Sequence, residues 1–254
     1  MLNSKLVIVT VSFNSGRDLK RTYKSIRNYL SIDCNWLILD GNSSDVSINV
    51  FDELRSNSYI KLISEEDNGI YDAMNKSLNL CDKNSYIWFL NSGDRLVCNP
   101  LTLKLKNNVN FFSIICGDFN KQVNPNIKLP FSVKSMSPFS KYPHQGMIVK
   151  NFILQKYRFD LNIGLCADHL LTLKIINNED FKVQKEVIAW YDINGISNRR
   201  PLKMLWFNIK ICKRFKFSIL SYLLINNDYV LKQLIKSLLG IDTINFFRKI
   251  YKNK

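Results

Sequence analysis

This 254-residue chain has no apolar run long enough to cross a bilayer as a helix. The longest beyond the N-terminal segment, Phe217 to Ile225, falls far short of the roughly 20 residues needed. A secretory leader is not expected either: Leu6 to Val11 is too short for a signal h-region and reads as a first buried strand. The six cysteines, at 34, 81, 98, 116, 166 and 212, form no C-x-x-C pair. Most fall within apolar runs, as expected of structural thiols buried in a reducing compartment. There is no G-x-G-x-x-G and no Walker A lysine loop, which excludes the usual dinucleotide site and the P-loop. No zinc spacing, RNP-type aromatic strand or other nucleic-acid module is visible, and no internal repeat or low-complexity tract stands out.

What is present suffices for a core. With 46% hydrophobic and 22% charged residues, the chain can bury a sizeable interior without a disulfide or metal, as one main domain with an appendage. The formal charge of +15 is placed unevenly. From Arg199 onward, 13 Lys and Arg stand against Asp228 and Asp242, a net +11 that leaves only about +4 for residues 1–198. Trp206, Phe207, Ile211, Phe215 and Phe217 interleave there with Lys203, Lys210, Lys213, Arg214 and Lys216. That mixture suits an amphipathic helix on an anionic membrane surface, while a packed helical subdomain with a solvated basic face is the competing reading. Nucleic acid is not expected as a partner. The division is therefore a domain over 1–198 and a basic amphipathic helical region over 199–254.

Strand-like and helix-like segments alternate through the first 120 residues. Strands are expected at Leu6–Val11, Asn35–Leu39, Tyr59–Ser64 and Tyr86–Leu90, and helices at Asp18–Leu30, Val46–Arg55 and from Asp72 to Leu78. A further strand is expected over 111–118. Such βαβ units wind into a mostly parallel sheet whose ligands sit at the C-terminal strand edge. The segment from Asn124 to Pro143 holds four of the six prolines and reads as a loop that could border an acceptor site.

Polar clusters follow the expected strands: Ser12-Phe13-Asn14, the stretch Asp40 to Asp45, the stretch Glu65 to Gly69, and Asn91-Ser92-Gly93-Asp94. Asp40 offers an acceptor for a base or ribose, Phe13 a face on which a ring can stack, and Asp94 an oxygen ligand for a cation that bridges two phosphates. Each has a plainer use. Asp40 and Asp45 suit capping of the helix that begins near Val46, and Asp94 suits a turn after Gly93. Asp168 lies between the apolar stretches Leu165-Cys166-Ala167 and Leu170 to Leu173, where an unpaired carboxylate is costly unless it faces a site. His144, in the Pro-rich loop, is left open as a metal ligand, an acceptor contact or a satisfied polar residue, and His169 reads as packing.

The succession LDGNSSD, EEDNGIYDAMNKS, WFLNSGD, PHQG and then RFD followed by AD resembles the family 2 glycosyltransferases of the GT-A type, specifically bacterial polysaccharide-assembly members, over about residues 5–198. The resemblance implies an α/β GT-A-like sheet flanked by helices and an inverting transfer from a nucleotide diphosphate sugar, a UDP-sugar by its uracil-contacting acid. Ser12, Phe13, Asn14, Asp40, Asn68, Gly69, Asp72, Asn75 and Asn91 would line the donor pocket, with Lys76 a weaker member. Asp94 would hold Mg2+ or Mn2+, and Asp168 would be the general base. Where many relatives carry Asp-X-Asp-Asp, this chain has Asn-Ser-Gly-Asp, so only Asp94 keeps a full carboxylate. The implied acceptor is a lipid-linked saccharide of O-antigen or capsule type, met at the cytoplasmic face of the membrane. A catalytically silent binding or assembly subunit on the same fold is the alternative, motivated by Asn91 and Gly93. Nucleotidyltransferase chemistry would want a Gly-rich basic signature that Ser15-Gly16-Arg17 does not supply.

Overall fold

The computed structural model describes residues 2, 5–45, 47–117, 126–128, 142–192, 201–214, 216, 218 and 219. Most of the Pro-rich segment, the boundary near 198 and most of the basic tail lie outside the described residues.

The first strand, β1 (Leu6–Ser12), is buried along its whole length, as a continuous apolar run flanked by helices on both faces should be. It pairs in parallel with β2 (Cys34–Asp40) on one side and β4 (Tyr86–Phe89) on the other, and β2 pairs in parallel with β3 (Ile60–Ser64). Side chains alternate between the faces. Leu6, Ile8, Trp36, Ile38 and Trp88 pack with Leu19 and Ile26 of α1 (Gly16–Ile26) and Phe51 and Leu54 of α2 (Ser47–Arg55). Val7, Val9, Leu37, Leu39, Ile87 and Phe89 pack on the other face with Met74 and Leu78 of α3 (Ile70–Leu78). The same cluster takes in Ile153 and Leu154 of α4 (Asn151–Tyr157) and Leu171 and Ile175 of α5 (Ala167–Asn178). Burying each of these larger side chains contributes roughly 1.5–3 kcal/mol.

Beyond β4 the sheet is mixed. The remaining strands are β5 (Arg95–Leu96), β6 (Val109–Gly117), β7 (Asn126–Lys128), β8 (Met147–Lys150) and β9 (Phe181–Asp192). Among the described residues the order is β3-β2-β1-β4-β8-β6-β9-β5, with β7 on β6. The parallel order expected of βαβ units thus holds through β4, after which β8 runs antiparallel to β4 and β6, while β9 runs parallel to β6. Two consequences place the site. The order reverses beside β1, which opens a crevice between the ends of β1 and β4. Because β8 is antiparallel, it begins where β4 ends, so the 3-10 turn His144–Gly146 just before it arrives at the same edge.

The last described helix, α6 (Pro201–Arg214), packs on the turn Leu161–Cys166. Ile211 is buried with Ile163, Cys166, Leu170 and Leu173, and Phe207 lies against Gly164 so closely that a Cβ there would sit 2.1 Å from the ring. Gly164 also has φ +57, so this contact requires glycine on both counts. Five of the six cysteines are buried and all are free.

Candidate active site at the C-terminal strand edge

After β1, Asn14 turns into the left-handed region (φ 47), a conformation that Asn tolerates, and clamps the loop after β2. Its N–H donates to Ser43 Oγ at 2.8 Å, and its Oδ1 accepts from Ser44 N–H at 2.9 Å. Asp40 lies beneath that loop, almost wholly buried. Its Oδ2 accepts from Ser43 N–H (2.8 Å) and Ser64 Oγ (2.7 Å), and its Oδ1 accepts from Ser43 Oγ. A ligand that reaches Asp40 must therefore displace or join the serine hydroxyls. Phe13 stands above, 63% exposed. Gly41 keeps the space beside Phe13 and Asp67 open, since a Cβ there would meet Asp67 Oδ2 at 2.7 Å.

Around α3 the expected donor-pocket residues hold one another. Asn68 N–H donates to Asp72 Oδ2 at 2.9 Å, and Lys76 reaches Glu66 O at 2.6 Å. Gly69, with φ +107, turns the chain into the helix. Asn75 points elsewhere: its amide donates to Phe159 O and accepts from Phe159 N–H, at 2.9 and 3.0 Å. It pins the chain that leads toward Asp168.

Serines join the β1 and β4 loops. Ser12 Oγ and Ser15 Oγ are 2.9 Å apart, and Ser15 Oγ donates to Ser92 Oγ at 3.1 Å. The β4 loop is held from below by Thr22 of α1, whose hydroxyl donates to Asp94 O (2.8 Å) and accepts from Gly93 N–H (3.0 Å). Gly93 adopts φ +99, which a side chain would strain. Asp94 is 4% exposed. Its Oδ2 accepts from Asn91 N–H (3.1 Å) and Gln145 Nε2 (2.9 Å), and its Oδ1 from Asp192 N–H (3.1 Å).

His144 lies between this loop and the start of α5. Its Nε2 is 3.2 Å from Asn91 Nδ2 and its Nδ1 is 3.1 Å from Asp168 Oδ2. Asp168 occupies the first turn of α5, where the helix start favours negative charge, and its Oδ1 accepts from His169 N–H at 2.8 Å. Tyr71 packs beside it; burial and then the Asp168 charge hold the phenol well above its usual range. Tyr191 is raised likewise, first by burial and then by Asp94 and Asp168. Sequence reasoning missed Gln145, Thr22, Tyr71, Tyr191 and the Asp192 amide. Gln145 carried a signal within PHQG, and Tyr71 within EEDNGIYDAMNKS.

The charge balance at Asp94 has a measurable consequence. Burial pushes its carboxyl up from the ordinary 3.8 to about 6, against the lowering effect of the bonds from Gln145 and Asp192. The folded protein thus holds this proton more tightly than the unfolded chain. The associated stability is complete below about pH 3.8 and is lost as pH rises through about 6, a shift that corresponds to about 3 kcal/mol. In metal-free buffer, melting of the wild type is expected to fall relative to Asp94→Asn between about pH 4 and 6. Melting curves of the pair that stay parallel across that range would show that the carboxyl titrates near its ordinary value.

The same surroundings fit a divalent cation. Asn91 Oδ1 and Gln145 Oε1 are buried without a hydrogen-bond partner in the loop and turn that flank Asp94. Uncharged oxygens and a carboxylate are what a hard cation accepts. Among the described residues no cluster of three or more His, Cys, Asp or Glu side chains is present, so phosphate and water oxygens would have to complete the shell.

Comparison with known proteins bears on the fold. Residues 7–96 match the model of Glycosyl transferase family 2. Two uncharacterized glycosyltransferases of Mycobacterium tuberculosis, from strains CDC 1551 and H37Rv, are 24% identical over 204 residues, which is 76% of this chain and 77% of each relative. Among solved structures, TarS 1-349 of S. aureus in complex with UDP-GlcNAc superposes with a TM-score of 0.60 at 13% identity, covering 92% of this chain and 73% of that one. The mannosyltransferase PcManGT of Pyrobaculum calidifontis, in complex with GDP-Man and Mn2+, gives 0.57 at 12% identity over 82% and 64%. These likenesses show a shared fold, the GT-A sheet.

Proposed function

We propose that this chain is a nucleotide-sugar-dependent glycosyltransferase that inverts the sugar carbon in a single displacement, a reading supported by the match of residues 7–96 to the Glycosyl transferase family 2 model. The donor is a UDP-sugar, its base against Phe13 with an edge toward Asp40. The observation that carries the mechanism is the meeting of Asp94 and Asp168 at one strand edge, tied together through the His144–Gln145 turn. Asp168 takes the proton of the acceptor hydroxyl as the sugar carbon gains oxocarbenium character. A divalent cation, Mg2+ or Mn2+, held at Asp94 would neutralise charge on the departing diphosphate. Asn91 and Gly93 replace acids without removing Asp94, which favours catalysis over a silent binding role.

The test is UDP binding by calorimetry with Mn2+ and with chelator. Asp94→Ala is expected to weaken binding in Mn2+ by roughly 10-fold or more and to leave the chelator value within about 2-fold. Equal weakening in both would make Asp94 structural. A panel of nucleotide sugars with a synthetic lipid-diphosphate sugar as acceptor then identifies the substrate pair.

The acceptor we propose is a lipid-linked saccharide of O-antigen or capsule type, met at the cytoplasmic face of the membrane. Support comes from the described part of the tail. One side of α6 docks on the domain through Phe207 and Ile211, while Leu202, Lys203, Trp206 and Lys213 remain exposed, with Lys210 Nζ 3.7 Å above the Trp206 ring. Aromatic and basic side chains on one outer face suit attachment to anionic lipid, at about 1 kcal/mol per basic residue near the surface. No helix among the described residues is long and apolar enough to cross a membrane. Co-sedimentation with liposomes containing phosphatidylglycerol at low salt is expected, falling with added salt and with Trp206→Ala. No co-sedimentation at low salt would reduce α6 to a packing element.

A further inference from the structure

His144 stands between two groups that leave it one arrangement of protons. An amide NH2 only donates, so the approach of Asn91 Nδ2 at 3.2 Å makes His144 Nε2 an acceptor. Nδ1 then carries the hydrogen, and at 3.1 Å it donates to Asp168 Oδ2. The ring is buried, and its turn is anchored on both sides: Gln145 O accepts from Trp88 Nε1 at 2.7 Å, and Gln145 Nε2 donates to Asp94 Oδ2. With both nitrogens engaged inward, His144 is badly placed to take an acceptor proton itself.

We propose that His144 is a positioning residue, fixed by Asn91 as the neutral Nδ1–H tautomer so that it aims the Asp168 carboxylate and couples it to the Asn91–Asp94 loop. This rests on the reading of Asp168 as the base. It also gives Asn91 a reason to be an amide. A carboxylate at that position offers only acceptors and draws a hydrogen onto Nε2, so the ring is no longer held as the neutral Nδ1–H form.

The chain contains only two histidines, so full-length protein labelled with 15N-histidine gives two imidazole spin systems, and His144→Asn identifies which is which. Residue 144 is expected to show the neutral Nδ1–H pattern in wild type and in Asp168→Ala, where Asn91 still makes Nε2 an acceptor, and to lose that neutral pattern in Asn91→Asp. An Nε2–H pattern in wild type overturns the proposal. Kinetics separate aiming from mere packing, with UDP release from UDP-GlcNAc as the probe and water or a lipid-diphosphate sugar as acceptor. An Asn side chain can place an N–H near the position of Nδ1, whereas Gln reaches toward Nε2. His144→Gln and His144→Ala are therefore expected to lose roughly 10-fold or more in kcat with donor KM within about 2-fold, and His144→Asn to keep several-fold more turnover than either. Equal losses in all three variants, or losses confined to KM, overturn it. Full turnover by Asp168→Asn removes the base reading and this inference with it, whereas loss at Asp168 with an unaffected His144 series removes this inference alone.

Discussion

Replacing Asp168 with Asn is expected to lower kcat by roughly 100-fold or more, about 2.7 kcal/mol of transition-state stabilisation, while UDP affinity stays within about 2-fold of wild type. The amide keeps the shape of the carboxylate, and its single oxygen can still accept from His169 N–H at the start of α5, while its NH2 cannot accept from His144 Nδ1. What it loses is the ability to take a proton. The donor's diphosphate is assigned to the Asp94 side of the crevice, which this substitution does not touch. Turnover near wild type with either histidine intact would place the base elsewhere. A matching loss of UDP affinity would mean that Asp168 supports the donor pocket instead.

The largest effect on stability is expected from Trp88→Ala. Trp88 is wholly buried in β4 between β1 and β8, and its indole N–H is the anchor of Gln145 O. Removing the ring should cost about 3–5 kcal/mol through lost burial and the cavity left behind. For a chain of this size, that lowers the melting temperature by roughly 10 °C. Trp88→Phe keeps most of the volume and strands only the carbonyl, so about 1–3 kcal/mol is expected. Because the carbonyl belongs to the residue after His144, Trp88→Phe should also lower kcat more than it weakens UDP binding. Melting of Trp88→Ala within 2 or 3 °C of wild type would show that the sheet tolerates a void there.

The elements most legible in the sequence are those whose periodicity is a direct record of burial. The runs now seen as β1, β2 and β4 are continuous and apolar because both faces of a central parallel strand are covered, and Ile70, Met74 and Leu78 recur with the period of a helix facing that sheet. The change to a mixed sheet after β4 was not legible. Strand direction depends on which neighbour a strand meets, and the short run Met147–Lys150 looks the same whether it is parallel or antiparallel. The expected helix over 18–30 divides into α1 and a 3-10 turn at Arg27–Tyr29, a difference of local hydrogen bonding.

The residue types at the strand ends marked the edge proposed as the site, because polar groups there abruptly end apolar strands. Their roles depend on neighbours distant in the chain. Asn75 looked like a donor contact and is held by Phe159, 84 positions away. His144 was left open among three uses until Asn91 and Asp168, at separations of 53 and 24, defined the hydrogen on its ring. The sequence by itself determined the covered sheet, the polar edge at its strand ends and the acids available there, since these follow from the order of apolar and polar residues. Only the tertiary structure decided which acid meets which partner, because hydrogen-bond geometry depends on distances that chain separation does not encode.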